Sequence, residues 1–149
     1  MAVLLSTPQI TLTADADTRL VRYVRTSVPY PDLEEYERLH ERAGHALDLL
    51  GRKRHVLLVD MRGATLNNDP AFERAAGRCR QLLVRDFRRL AVLARTAVGV
   101  LQIGRHIRED SLDSLIFNDE TAAISYLLGV SGFDAEPPSS SARTPRSTR

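Results

Sequence analysis

At 149 residues the chain has the length of one ordinary domain. Its 43% apolar and 27% charged content is that of a folded globular protein, and a net charge of only +2 gives little electrostatic support to a nucleic-acid role. Its single cysteine, Cys79, excludes an internal disulfide and a cysteine-based zinc site, as suits a reducing compartment.

Met1 to Leu5 is apolar but lacks the basic start, length and cleavage site of a secretory signal. No run approaches the ~18 apolar residues of a spanning helix. A cytoplasmic location is expected. Residues 9–27 read as a β-hairpin: Ile10 and Leu12 alternate with Thr11 and Thr13, Asp15-Ala16-Asp17 makes the turn, and Leu20 to Val24 returns. Pro29-Tyr30-Pro31 stops the strand, since proline cannot donate to a ladder.

Asp32 with Glu35 three positions on resembles a capping box and opens a helix that Gly51 ends. Leu33, Tyr36, Leu39, His40, Ala43, Ala46, Leu47 and Leu50 fall on its apolar side, and Glu34, Glu37, Glu41 and Asp48 on the other. The stretch His55 to Phe72 is the centre of the chain. Val56 to Val59 is apolar on every side and reads as a strand covered on both faces. Asp60 ends it, Arg62-Gly63 turns, and Asp69-Pro70 starts a second helix with proline at a position where its missing N–H costs nothing.

That helix is predicted to run to about Phe87. Phe72, Ala75, Ala76, Cys79, Leu82, Leu83 and Phe87 form its apolar face, and Arg74, Arg78, Arg85 and Arg88 line the opposite one within about 80° of arc. Leu90 to Ala94 is a further buried strand, residues 98–109 a weaker helical stretch, and Leu115 to Phe117 a short strand. Asn118-Asp119-Glu120 caps a last helix that stops at Gly129. Residues 1–133 thus form one domain, and 134–149, where Pro, Ser, Thr and Arg replace the large apolar residues, form a disordered tail. The expected architecture is α/β: an N-terminal β-hairpin, then βαβα units, with a mostly parallel central sheet flanked by about four helices.

This element order, with the turn Val-Asp-Met-Arg-Gly after the third strand, resembles the STAS fold of bacterial anti-sigma-factor antagonists. It is closer to the SpoIIAA-like proteins grouped with the CRAL-TRIO lipid-binding superfamily. Residues 56–73 and 116–129 carry the resemblance, which spans roughly residues 9–129. It implies protein-interaction or ligand-sensing work. Antagonists of this fold are switched by phosphorylation of a serine where the helix after the third strand begins. Here that place holds Asn67, Asn68 and Asp69, and the nearby hydroxyl is Thr65, so a constitutive negative charge is as compatible as a phospho-switch.

No catalytic frame accompanies these features. There is no Gly-x-Ser-x-Gly elbow and no glycine-rich phosphate loop. His40, His45, His55 and His106 lack metal-ligand spacing. Cys79 on an apolar helix face behaves as a small hydrophobe, His40 as a core histidine, and Asp60 as a turn acceptor. No metal and no cofactor are expected. The expected role is a non-enzymatic regulatory domain that binds a partner protein through Arg62, Thr65, Asn67, Asn68 and Asp69 of the loop and Arg74, Arg78, Arg85 and Arg88 of the second helix. Each feature has a plainer reading beside it: turn residues and an N-cap in the loop, a solvated face on the helix. A module for an apolar small ligand or lipid is one alternative. A homodimer joining the acidic first helix of one copy to the basic second helix of another is a second.

Overall fold

The computed structural model describes residues 1–65, 69–95 and 115–129. The expected 98–109 helix, Asn67, Asn68, His106 and the 134–149 tail lie outside the described residues. The fold is mixed α/β, with a six-stranded sheet and three α-helices among the described residues. The strands are β1 (Ala2–Ser6), β2 (Ile10–Asp15), β3 (Leu20–Arg25), β4 (Val56–Asp60), β5 (Leu90–Leu93) and β6 (Leu115–Phe117), lying side by side in chain order. The helices are α1 (Leu33–Leu50), α2 (Pro70–Val84) and α3 (Glu120–Leu128). None is long and apolar enough to cross a membrane.

The antiparallel part of the sheet differs from expectation. Ala2–Ser6 is a strand antiparallel to β2, so the hairpin β2–β3 becomes a three-stranded antiparallel unit. The alternation of β2 buries Ile10, Leu12 and Ala14, and that of β3 buries Val21, Tyr23 and Arg25. From β3 to β6 every pairing is parallel.

β4 occupies the interior position between β3 and β5, and all five of its residues are buried. Its side chains divide by parity. Leu57 and Val59 join the core under α1, with Leu39, Ala43 and Leu47, while Val56 and Leu58 join Ala122, Ala123 and Leu127 of α3 on the other face. A strand covered on both faces has no use for a polar alternation, hence the continuous apolar run.

Each helix begins where a side chain satisfies an orphan N–H. Asp32 Oδ1 accepts from Glu35 N at 2.8 Å, Asp69 Oδ2 from Phe72 N at 3.0 Å, and Asp119 Oδ2 from Ala122 N at 2.8 Å. α1 ends at Gly51, whose φ of 98° suits glycine. α2 ends at Val84, three residues before the expected Phe87. The reason is tertiary: Arg52, at the end of α1, donates through Nη1 to the carbonyls of Leu83 and Arg85, and Asp86 turns left-handed at φ 69°. α1 and α2 pack together where side chains are small, with Ala76 and Cys79 against Tyr36.

Because Leu57 and Leu58 are both fully buried, on opposite faces, Leu57→Ala and Leu58→Ala should each lower stability by about 2–5 kcal/mol. Urea unfolding followed by circular dichroism measures both losses. A negligible loss at either position contradicts cover on that face.

Candidate functional site

The C-terminal ends of β3 and β4 meet the loop that follows β4 and the N-terminus of α3. Parallel register sets Val24 beside Asp60 and Arg22 beside Leu58, so Arg22 and Asp60 share the α3 face of the sheet. Arg62 turns back onto Asp60: Nε meets Oδ1 at 3.0 Å and Nη2 meets Oδ2 at 2.8 Å, a two-pronged grip. The backbone N–H of Arg62 also donates to Oδ1, at 3.1 Å. Arg62 Nη2 continues to Glu120 Oε1 at 2.9 Å, and Arg22 Nη1 completes the set on Glu120 Oε2 at 2.9 Å.

Four alternating charges therefore tie β3, β4, the loop and α3 together. Burial alone would raise the pKa of Asp60. The hydrogen bonds and charge of Arg62, with the charge of Arg22, outweigh it and hold the carboxyl below the ordinary range. The same hydrogen bonds, donated by Arg62 to Asp60, push Arg62 upward, so both groups stay ionised. Asp60 is a turn acceptor with both oxygens engaged, which leaves it poorly placed to take a proton from a substrate.

The loop is pinned further along. Met61 N donates to Leu93 O at 2.9 Å and Ala64 N to Met61 O at 3.1 Å. Gly63 passes so close to β3 that a Cβ would lie 2.8 Å from Arg25 O, which explains a glycine in the turn. Thr65 is exposed just beyond it, and Asp69 spends a side-chain oxygen on the α2 cap.

The arginines of α2 do not form one free surface. Arg78 Nη2 meets Glu37 Oε2 at 2.9 Å and Arg85 Nη2 meets Asp48 Oδ2 at 3.3 Å. The acidic face of α1 and the basic face of α2 thus answer each other within the chain. These pairs are half exposed and contribute about 0–1 kcal/mol each. Arg74 is exposed about one and a half turns into α2. Arg88 lies beyond the helix at the opposite end of the sheet, where its N–H bonds His55 O at 3.0 Å. Arg62, Thr65, Asp69 and Arg74 are therefore gathered near one rim, whereas Arg85 is about 16 Å from Arg74 along α2 at 1.5 Å per residue, and Arg88 lies beyond the helix.

A second cluster fills the space between β3, α1 and α2. His40 Nδ1 lies 2.9 Å from the carbonyl oxygen of Tyr36, which can only accept, so that nitrogen carries the proton. Nε2 then accepts from the Tyr23 hydroxyl at 2.9 Å. Burial lowers the pKa of His40 and keeps the ring neutral, confirming a satisfied core histidine. Burial likewise raises Tyr23, and pushes the Cys79 thiol up to about 11, so Cys79 is a protonated thiol packed on Tyr36. His55 Nδ1 bonds Gly51 O at 2.7 Å, and among the described residues no three His, Cys, Asp or Glu side chains gather as a metal site would require.

Arg22, Glu120, Arg25 and the Tyr23–His40 pair were not singled out from sequence. The available signal was phase. In Leu20–Arg25 a period of two places Arg25 inward with Val21 and Tyr23, and Arg22 on the Asp60 face. No protein-family model, curated protein or solved structure matches the chain.

Asp60→Asn should cost about 1–3 kcal/mol, the range for charge-assisted hydrogen bonds on a group whose arginine partner is partly solvated. A depressed folded pKa contributes stability that is present above the ordinary carboxylate value and lost as pH falls through the folded one. The gap between wild type and Asp60→Asn should accordingly narrow in strong acid, and a gap that is constant with pH contradicts the ionic grip.

For His40 the unfolded ring binds its proton first as pH falls. Stability should decline below about pH 6.5 until the lower folded pKa is reached. An NMR titration of the His40 ring with a midpoint at or above the free value contradicts this.

Proposed function

We infer that this chain is a non-enzymatic regulatory or protein-interaction domain of the STAS/SpoIIAA-like kind, meeting a partner protein with the loop after β4 and the adjoining face of α2. The observation that carries the reading is the ionic tie among Asp60, Arg62, Glu120 and Arg22. It uses the charged groups at the end of the central strand to hold a loop in shape, leaving Thr65, Asp69 and Arg74 outward beside it. A preorganised polar rim of this sort loses little entropy on docking. The resemblance of the Val-Asp-Met-Arg-Gly turn and of residues 116–129 to that family supports the same surface. A pair of copies joined through α1 and α2 has less support, since Glu37 and Asp48 already hold Arg78 and Arg85 within one chain.

A photo-crosslinking side chain at Thr65 or at Arg74, introduced into the full chain in its native cells, should trap a discrete second protein. The same group at Arg54, on the opposite end of the sheet, should not. Equal trapping at all three positions, or none at Thr65 and Arg74, removes the assignment.

A further inference from the structure

Two arginines are buried among the described residues, and their surroundings differ. Arg52, 5% exposed, uses all three guanidinium nitrogens: Nε donates to Asp48 Oδ1 at 2.8 Å, Nη1 to Leu83 O at 2.8 Å and Arg85 O at 3.1 Å, and Nη2 to Gly44 O at 3.3 Å. Its charge has a carboxylate partner. Arg25, 8% exposed, has none among the described residues. Among those residues only its Nη1 is engaged, donating to the carbonyls of Thr26, of Val28 at 2.8 Å and of Gln9 at 3.4 Å.

The guanidinium carbon of Arg25 sits 4.5 Å from the centre of the Tyr30 ring. Tyr30 is in turn braced by Tyr36 at 4.7 Å, ring to ring, and lies 6.5 Å from Phe72 in the first turn of α2. This stacking holds the guanidinium plane in place. The Nε–H and the two Nη2–H groups meet no acceptor among the described residues. Those two nitrogens form the edge with which arginine grips a carboxylate or phosphate by two parallel bonds. The Tyr30 hydroxyl is the one fully enclosed side-chain polar atom left unpartnered there, so the free edge of Arg25 is not sealed in.

A charge removed from water without a counter-charge is costly, and a carboxylate or carbonyl that could answer this edge is missing from its surroundings among the described residues. Arg25 is the last residue of β3, at the C-terminal end of the strand, and its backbone carbonyl is where the Gly63 turn passes. In parallel α/β sheets that end is where ligands enter. We propose that Arg25 anchors a binding site for a small organic anion, a carboxylate or a phosphate monoester, gripped by Nε and Nη2 with the Tyr30 ring behind the guanidinium. The ligand supplies the negative charge that Asp48 supplies to Arg52 and that no described residue supplies to Arg25. The site does not rest on the partner surface, which uses other side chains.

The test is a titration of the ¹⁵N-labelled full chain with sodium benzoate and, separately, with phenyl phosphate, at ionic strength held constant with sodium chloride. Arginine Nε–H resonances are followed by NMR, with that of Arg25 assigned by its contacts to the Tyr30 ring. Expected is a saturable shift of the Arg25 resonance with at least one of the two anions. Arg25→Lys keeps the charge and loses the two-pronged edge, so the affinity read at the Thr26 and Gly63 amides should fall about tenfold or more. Tyr30→Leu, which removes the platform, should weaken binding as well. If Arg25→Lys does not fold, the wild-type titration and Tyr30→Leu decide. An Arg25 resonance unmoved by both anions overturns the site, as do shifts of similar size at every arginine, or variants that bind as wild type does.

Discussion

The structure depends on a strand with nowhere to be polar. β4 is hydrogen-bonded to a neighbour on each side and packed against a helix layer on each face, so Val56 to Val59 must all be apolar. Only its last residue reaches a different environment. Asp60 is placed at the sheet rim by the same register that buries its predecessors, and there it is still only 7% exposed. A carboxylate so placed must be paired, and Arg62, two residues on, is within reach to do it. The turn, the close passage of Gly63 over β3 and the link to α3 through Glu120 follow from that requirement.

The two faces of the sheet carry different chemistry. On the α3 face the polar groups near the rim are consumed by one another in the Asp60, Arg62, Glu120 and Arg22 set. On the α1–α2 face, three tyrosines, His40 and Phe72 form an aromatic packing in which both ring nitrogens of His40 are hydrogen-bonded and Arg25 meets no carboxylate among the described residues. The first arrangement gives rigidity to an exposed loop. The second leaves the Nε and Nη2 edge of Arg25 without an acceptor among the described residues. The proposed anion edge and the proposed partner-facing loop both lie at this rim.

Legibility in the sequence followed the range of the interactions. The caps at Asp32, Asp69 and Asp119 are satisfied within three residues, and the all-apolar β4 carries its own signature, so both were readable. β1 was not, because Ala2 to Leu5 shows no alternation and gains its strand character from pairing with β2, with a register shift between Val3 and Leu5. The end of α2 was misplaced because Leu83 and Phe87 continue the helical period, whereas the termination is imposed by Arg52 from another element. The charges on α1 and α2 were visible, but that they face each other depends on the sheet order. Arg25 was readable in principle from the phase of β3, yet that no carboxylate among the described residues meets it depends on the three-dimensional packing.

Native-state hydrogen exchange tests the central role of β4 most directly. The account predicts that the amides of Leu57 to Asp60 exchange only through global unfolding, and that Asp60→Asn loosens Arg62 and Ala64 while leaving Leu57 and Leu58 as protected as its lowered global stability allows. Amides of β4 that exchange as readily as those of the border strand β1 would contradict it.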